Sequence, residues 1–342
     1  MNKRTAMFYE KTEKGEVQCI LCHHYCKIKD GKTGICGVRA NRGGKLVSLS
    51  FGYPTALNIE PIEKKNLFHF MPGSQTLSIA TLGCNLKCQY CQNWELSQIK
   101  QAEEMTDKLN YYGPEKIVEE AVGDECESIS FDYNEPTVGI EYLVEVFELA
   151  KSFKLSTVLC SNGFYAPRAF FAMLPNLDAI NIEIKSFSPD FYRNYCSADL
   201  GPVLENVKTA KAEQVHLEVT TLIIPGMTDD IDMLYELAGF IANELDADTP
   251  WHIKRFNPDK SWKMKKLPPT DEDILYEAME IGKEAGLKYV YLGNVPGGQN
   301  ENTYCPVCNE LAIRRMGSFV ERFDNSGRCA YCDKSLDIII GE

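Results

Sequence analysis

The sequence predicts an α/β fold: a partial (β/α)6-type barrel of the TIM kind, with a small four-cysteine metal-binding module at each end. Three observations predict it. From residue 74 to residue 298, apolar strand-like runs alternate with amphipathic helical patterns, the rhythm of parallel β/α units. Most of the 14 cysteines fall into three clusters with ligand-like spacing, one near each end and one directly after the first barrel strand. A chain of 342 residues holds one barrel-sized unit and two appendages. The expected division is 1–73, 74–298 and 299–342.

The first segment carries Cys19, Cys22, Cys26 and Cys36 at C-x2-C-x3-C-x9-C spacing. Four thiolates fit a closed tetrahedral site, and a short segment rich in glycine and lysine needs a metal to fold. Zinc is the first reading and an auxiliary iron-sulfur cluster the second. His23 and His24, between two of these cysteines, read as solvent-facing or as supports of the ligands. Gly31-Lys32-Thr33 mimics the end of a phosphate loop, but Cys26 stands where that motif needs its first glycine. Residues 45–80 read as short strands and turns wrapped on the core. His69, between Phe68 and Phe70, reads as a packed core histidine.

Barrel strands are expected at 76–81, 128–132, 155–160, 179–184, 215–224, 251–256 and 287–292. Helices are expected at 114–121, with Pro114 in the first turn, and at 138–153, where Val138, Tyr142, Val146, Leu149 and Phe153 share a stripe. Thr270, three residues before Asp273, reads as a helix cap. In such a barrel the chemistry belongs at the carboxyl ends of the strands. There stand Cys84, Asn134-Glu135, Ser161-Asn162-Gly163, Glu183 with Lys185, Pro225-Gly226, Asn257, and Gly293-Asn294 leading to Pro296.

Cys84, Cys88 and Cys91 stand at C-x3-C-x2-C spacing in one tight loop, with Tyr90 before the last cysteine. A structural zinc site closes its sphere with four protein ligands. Three thiolates on a cubane cluster leave one iron open. The strand followed by C-x3-C-x-aromatic-C resembles the signature of the radical S-adenosylmethionine (SAM) superfamily. That resemblance implies a [4Fe-4S] cluster on Cys84, Cys88 and Cys91, SAM on the open iron, and one-electron cleavage of SAM to a 5'-deoxyadenosyl radical.

Over residues 74–298 the chain resembles activating enzymes of glycyl-radical proteins. Asp132-Tyr-Asn-Glu-Pro-Thr137 stands where the superfamily usually carries Gly-Gly-Glu, so Glu135, with Asn134 beside it, is expected to receive the SAM ammonium. Ser161 and Asn162 resemble the segment beside SAM, and Glu183 and Lys185 the charged pair near its carboxylate. The resemblance places 223–228 beneath the adenine and 290–294 at its edge, with Asn257 and Asn294 completing the expected cofactor contacts. With both flanking modules, and on 58–70, 91–98 and 293–305, the chain is similar to the radical SAM member of the AmmeMemoRadiSam system.

The chain ends with Cys305, Cys308, Cys329 and Cys332, two C-x2-C knuckles separated by 20 residues, which read as a zinc ribbon. The ribbon is expected to cover the barrel mouth. Cys126, Cys160 and Cys196 are scattered and read as small buried hydrophobes. A net charge of −13 argues against nucleic-acid binding over the whole surface. The basic, aromatic run at 251–266 remains a candidate dock for a small acidic electron donor, flavodoxin or ferredoxin, or for RNA. A protein or RNA is the expected substrate, and a glycyl-radical enzyme the alternative. A metal-bearing scaffold without catalysis is the reading of another class, and the three-cysteine loop argues against it. No apolar run reaches membrane-spanning length and the start lacks a leader pattern, so a cytoplasmic location is expected.

Overall fold

The computed structural model describes residues 4–12, 15–295 and 299–341. Its centre is one eight-stranded sheet. In chain order the strands are β1 (Ala56–Pro61), β2 (Gln75–Ala80), β3 (Ser128–Phe131), β4 (Ser156–Ser161), β5 (Ala179–Glu183), β6 (His216–Ile223), β7 (Trp251–Arg255) and β8 (Val290–Gly293). They lie side by side in that order, β2 to β8 parallel and β1 antiparallel to β2. Six helices accompany the crossovers: α1 (Pro114–Gly123), α2 (Ile140–Ser152), α3 (Pro167–Met173), α4 (Leu200–Ala212), α5 (Ile231–Phe240) and α6 (Glu272–Glu284). This is the expected partial barrel.

Two local expectations are corrected. The connector at 45–80 contains β1, which its flanking prolines disguise; Pro61 is tolerated because the strand lies at the sheet edge. The cap of α6 is Asp271, whose carboxylate accepts from Asp273 N at 3.2 Å. Thr270 instead ties two strand ends together, donating to Ile223 O at 2.6 Å and accepting from Phe256 N at 2.9 Å.

The N-terminal segment forms two small antiparallel sheets, Arg4–Thr5 with Lys45–Ser48 and Arg39–Arg42, and Tyr9–Lys11 with Val17–Cys19 and Lys27–Ile28. It is fastened to α2 by a buried ion pair, Arg39 to Glu141 at 2.8 Å. Glu141 also accepts from Met7 N at 2.7 Å.

Along β6, β7 and β8, alternate residues point into the barrel and stack in layers. The floor layer is Glu218 with His252 and Tyr291. Glu218 accepts from His252 Nε2 (2.6 Å), His216 Nε2 (3.0 Å) and the backbone amides of Phe68 (3.0 Å) and His69 (2.7 Å). Burial alone would raise this carboxyl, but the hydrogen bonds from His216 and His252 hold it well below the usual range. His69 is fully buried, as a core histidine should be. Its Nδ1 lies 3.0 Å from Leu336 O, which only accepts, so Nδ1 carries the proton and Nε2 accepts from Tyr291 Oη at 2.7 Å.

Burial pushes the His69 imidazole down to about 4. The unfolded chain takes up a proton near pH 6.5 that the fold refuses, so stability is lost as pH falls from about 6.5 to about 4, by on the order of 3 kcal/mol. His252 is shifted the same way by burial. Urea unfolding at pH 7.5 and at pH 5 is expected to show about 2 kcal/mol of this loss, and His69→Gln to reduce it, His252 keeping its own share. A pH-independent midpoint in the wild type would refute the assignment.

The ribbon consists of Thr303–Tyr304, Leu311–Met316 and Phe319–Arg322. It closes the gap between the two free edges of the open sheet. Arg315, fully buried, donates to Phe68 O at 2.6 Å on the β1 side. Toward the β8 side it donates to Thr303 Oγ1 at 2.8 Å, and Thr303 Oγ1 lies 2.9 Å from Tyr291 Oη. Its guanidinium lies 4.3 Å from the centre of the Phe68 ring. The tail then pairs with the chain after β1, Ile339 N with His69 O and Met71 N with Ile339 O, both at 2.8 Å.

Candidate functional site

A cavity of about 1630 Å³ opens at the carboxyl ends of the strands. Cys84, Cys88 and Cys91 line it on one side, Glu135, Ser161 and Asn162 on a second, Glu183 and Lys185 on a third. Residues far apart in sequence meet there because each follows a different strand of one parallel sheet.

The cysteine loop is held at both flanks. Lys87 N and Gln89 N donate to Cys196 O (2.8 Å) and Tyr195 O (3.0 Å), while Trp262 N and Lys263 N donate to Cys91 O (3.1 Å) and Gln89 O (2.8 Å). Leu86 N donates to Cys84 Sγ at 3.3 Å. The backbone amide of Asn93 and the hydroxyl of Ser97 face Cys91. Burial raises the Cys84 and Cys91 thiols, and the hydrogen bond with Cys196, then burial, raises Cys88, whereas N–H donors of this kind favour thiolate once a metal group takes the proton's place.

Gly83 precedes the loop at φ +94, and a Cβ there would sit 2.7 Å from Cys36 O. Gly83→Ala is therefore expected to cost about 2 to 4 kcal/mol through backbone strain and overpacking. Denaturant unfolding checks this, with loss of bound iron as the local readout; an unchanged midpoint would contradict it.

Glu135 is fully buried and caps the short helical turn Pro136–Gly139. Its carboxylate accepts from Asn162 N (2.8 Å), Thr137 N (3.1 Å), Thr137 Oγ1 (2.7 Å) and Ser161 Oγ (3.0 Å). Burial pushes its pKa up and these donors pull it back only in part. Asn134 is turned to the frame: its Oδ1 accepts from Thr81 N (3.0 Å) and its Nδ2 donates to Gly83 O (2.8 Å), so it braces β2 against the cysteine loop. Asn162 Nδ2 donates to Asn85 Oδ1 (2.8 Å) and lies 3.8 Å from Cys84 Sγ.

Lys185 is paired with Glu183. Burial would strip its proton, but Glu183 and Cys88 hold it on and raise its pKa. Asn257 caps the turn Pro258–Lys260, accepting from Asp259 N at 3.0 Å, and Asn294 donates to Arg255 O at 3.3 Å; both stand at the cavity rim. Leu222 reaches the cavity, while the following turn folds on itself, Thr228 Oγ1 accepting from Ile224 N at 2.7 Å. Pro296, Gly297 and Gly298 lie outside the described residues.

The basic run at 251–266 does not form one patch. His252 and Lys254 point into the barrel, Arg255 pairs with Glu272 at 2.9 Å, and Lys263 stacks 4.0 Å from the Trp262 ring. Lys254 is a cavity residue that sequence reading misses, although its alternation with His252 along β7 signals it. Among the described residues its Nζ has no hydrogen-bond or ion-pair partner, and burial lowers its pKa. A second missed group is Lys65, which bridges Glu60 (2.7 Å) and Asp132 (3.0 Å) on the cavity wall. Cys196 is buried as expected, but it lies beside Cys88 and 3.5 Å from Tyr90 Oη. His24 Nε2 meets Asn85 O at 2.7 Å and so supports the cysteine loop.

Of the ribbon, the Gly317-Ser318 turn and Arg315 reach the cavity, so the module borders the mouth instead of covering it. Its four thiols all lie within 4.8 Å of one another, a spacing suited to a single metal ion. Backbone amides of Cys332 and Tyr331 pull Cys329 down to about 7.

The family model described as the Radical SAM superfamily matches residues 78–238. The chain is 42% identical to MJ0808 of Methanocaldococcus jannaschii, a protein named as uncharacterised, over 98% of this chain and 100% of that one. It is 23% identical to a pyruvate formate-lyase-activating enzyme of Clostridium pasteurianum, over 59% of this chain and 87% of the relative. A crystal structure of a radical SAM methyltransferase from Sphaerobacter thermophilus aligns with a TM-score of 0.48 at 13% identity, over 86% of this chain and 78% of that one.

Proposed function

The chain belongs to the radical SAM superfamily and is an enzyme of that class, and from that premise we propose that Cys84, Cys88 and Cys91 hold a [4Fe-4S] cluster on which SAM is cleaved reductively. The observation that carries the reading is the convergence, on one cavity, of three thiols, a buried carboxylate and a lysine whose side chain is 11% exposed. The donor set fits. The three loop thiols are more widely spread than ligands of one ion, since among the described residues only the C-terminal set brings three or more such atoms within 4.8 Å. The cluster and SAM, when bound, supply a 5'-deoxyadenosyl radical that abstracts hydrogen from a substrate.

The chain's own residues do the rest. Glu135 receives the SAM ammonium, and Lys185, kept charged by Glu183, receives its carboxylate, each contact being worth about 1.5 to 3 kcal/mol. Ser161 and Asn162 hold the Glu135 carboxylate in place. Asn257 and Asn294 border the space left for the adenosine. The barrel walls exclude water from the reacting centre.

The substrate in this reading is a protein or RNA, supported by a cavity with room beyond SAM; a glycyl-radical enzyme is the second reading, favoured by the similarity to a pyruvate formate-lyase-activating enzyme. An acidic flavodoxin or ferredoxin is the proposed electron donor, zinc the proposed occupant of the ribbon, and the AmmeMemoRadiSam system the proposed setting. Among the described residues no helix is long and apolar enough to cross a membrane.

The test is anaerobic reconstitution with iron and sulfide, then SAM and a strong reductant, with assay for 5'-deoxyadenosine in wild type and Cys88→Ala. Product from the wild type alone is expected. A wild type that binds no cluster overturns the reading.

A further inference from the structure

The two four-cysteine sets differ in spread. A tetrahedral zinc with bonds of about 2.3 Å sets its thiolates roughly 3.8 Å apart. The C-terminal set meets that requirement, with Cys305 to Cys332 and Cys308 to Cys329 at 3.5 Å and all four thiols within 4.8 Å of one another. No three of Cys19, Cys22, Cys26 and Cys36 come within that limit, and in this they resemble the loop cysteines. They are nevertheless gathered: the thiols of Cys36, Cys19 and Cys26 all lie near enough to Cys22 to act on its charge. Four thiolates around a polynuclear cluster are divided among its irons, and those on different irons stand farther apart than ligands of one ion.

Their surroundings suit a metal-bound thiolate set. The backbone amide of His24 faces Cys22, that of Ile35 faces Cys26, and those of Val38 and Arg39 face Cys36. Cys19 and Cys36 are buried, while Cys22 and Cys26 are partly open. The set also lies directly behind the cysteine loop, because Gly83, the neighbour of Cys84, packs against Cys36 O.

We propose that Cys19, Cys22, Cys26 and Cys36 hold a second, polynuclear iron-sulfur cluster in place of zinc. It would put a redox-active group against the back of the Cys84 loop. The inference rests on the proposed function only for what the loop holds. Around it Lys27, Lys29 and Lys32 are exposed, in a chain whose net charge is −13.

The test uses the full chain carrying Cys84→Ala, Cys88→Ala and Cys91→Ala together, purified without oxygen. Expected are at least about two irons per chain with acid-labile sulfide, and an electron paramagnetic resonance signal on reduction with dithionite. Zinc should stay at about one per chain, from the ribbon. Absence of iron with about two zincs per chain overturns the proposal. Failure of the loop reading shows separately, as an iron content equal in this variant and the wild type. Should the triple variant not fold, Cys22→Ser with Cys36→Ser in an otherwise unchanged chain is expected to lower the iron content while leaving the loop's share; unchanged iron again overturns it.

Discussion

Glu135→Gln is expected to weaken SAM binding to the cluster-loaded protein by roughly 10- to 100-fold, the equivalent of one charge-assisted hydrogen bond. Production of 5'-deoxyadenosine should fall with it, while bound iron stays unchanged. The amide keeps one acceptor oxygen for Thr137 N and Ser161 Oγ but loses the charge and turns its NH2 toward Asn162 N. Glu135→Ala goes further, because it leaves Asn162 N and Thr137 N, two buried donors, without their partner. Each orphaned donor costs about 1 to 3 kcal/mol, so the alanine variant should lose stability as well as affinity. The pair separates charge from scaffolding: isothermal titration with SAM reads the first, urea unfolding the second. A glutamine variant with wild-type affinity would remove Glu135 from the proposed SAM site.

The second large effect is expected at the seam. Arg315→Met should lower stability by about 3 to 5 kcal/mol, as breaking a buried charged network does. The variant leaves Phe68 O, Glu301 O and Thr303 Oγ1 without their donor, and leaves buried Glu63, 3.8 Å away, without a counter-charge. Lysine is not expected to rescue it, because one ammonium cannot reproduce the fork that serves both sides of the gap. The urea midpoint measures the loss, and limited proteolysis should release the ribbon first. If Arg315→Met unfolds like the wild type, the ribbon does not hold the barrel closed.

The parallel sheet is legible in the sequence because every barrel strand is a short apolar run with turn residues behind it. The positions that matter chemically are legible for the same reason: a residue that follows such a strand faces the mouth. What is not legible depends on long-range pairing. Lys254 reads as part of a basic run until β7 turns it inward. Cys196 reads as a lone buried thiol until the connection after β5 brings it to Cys88. The edge strand β1 hides between prolines, and the bracing of Thr81 and Gly83 by Asn134, which also lines the cavity, has no local signal. The floor of Glu218, His216, His252 and His69 joins residues that share no local pattern.

The seam also sets an order in time. Phe68 and Arg315 are 247 residues apart, so the contact that closes the barrel waits for nearly the whole chain to leave the ribosome. The loop cysteines and all eight strands emerge first, with β1 and β8 unpaired on their outer edges. During that interval the interior stands open from the side as well as from the mouth. A metal group can therefore reach the loop from that side before the ribbon arrives; afterwards the mouth, which the ribbon only borders, is the way in that remains.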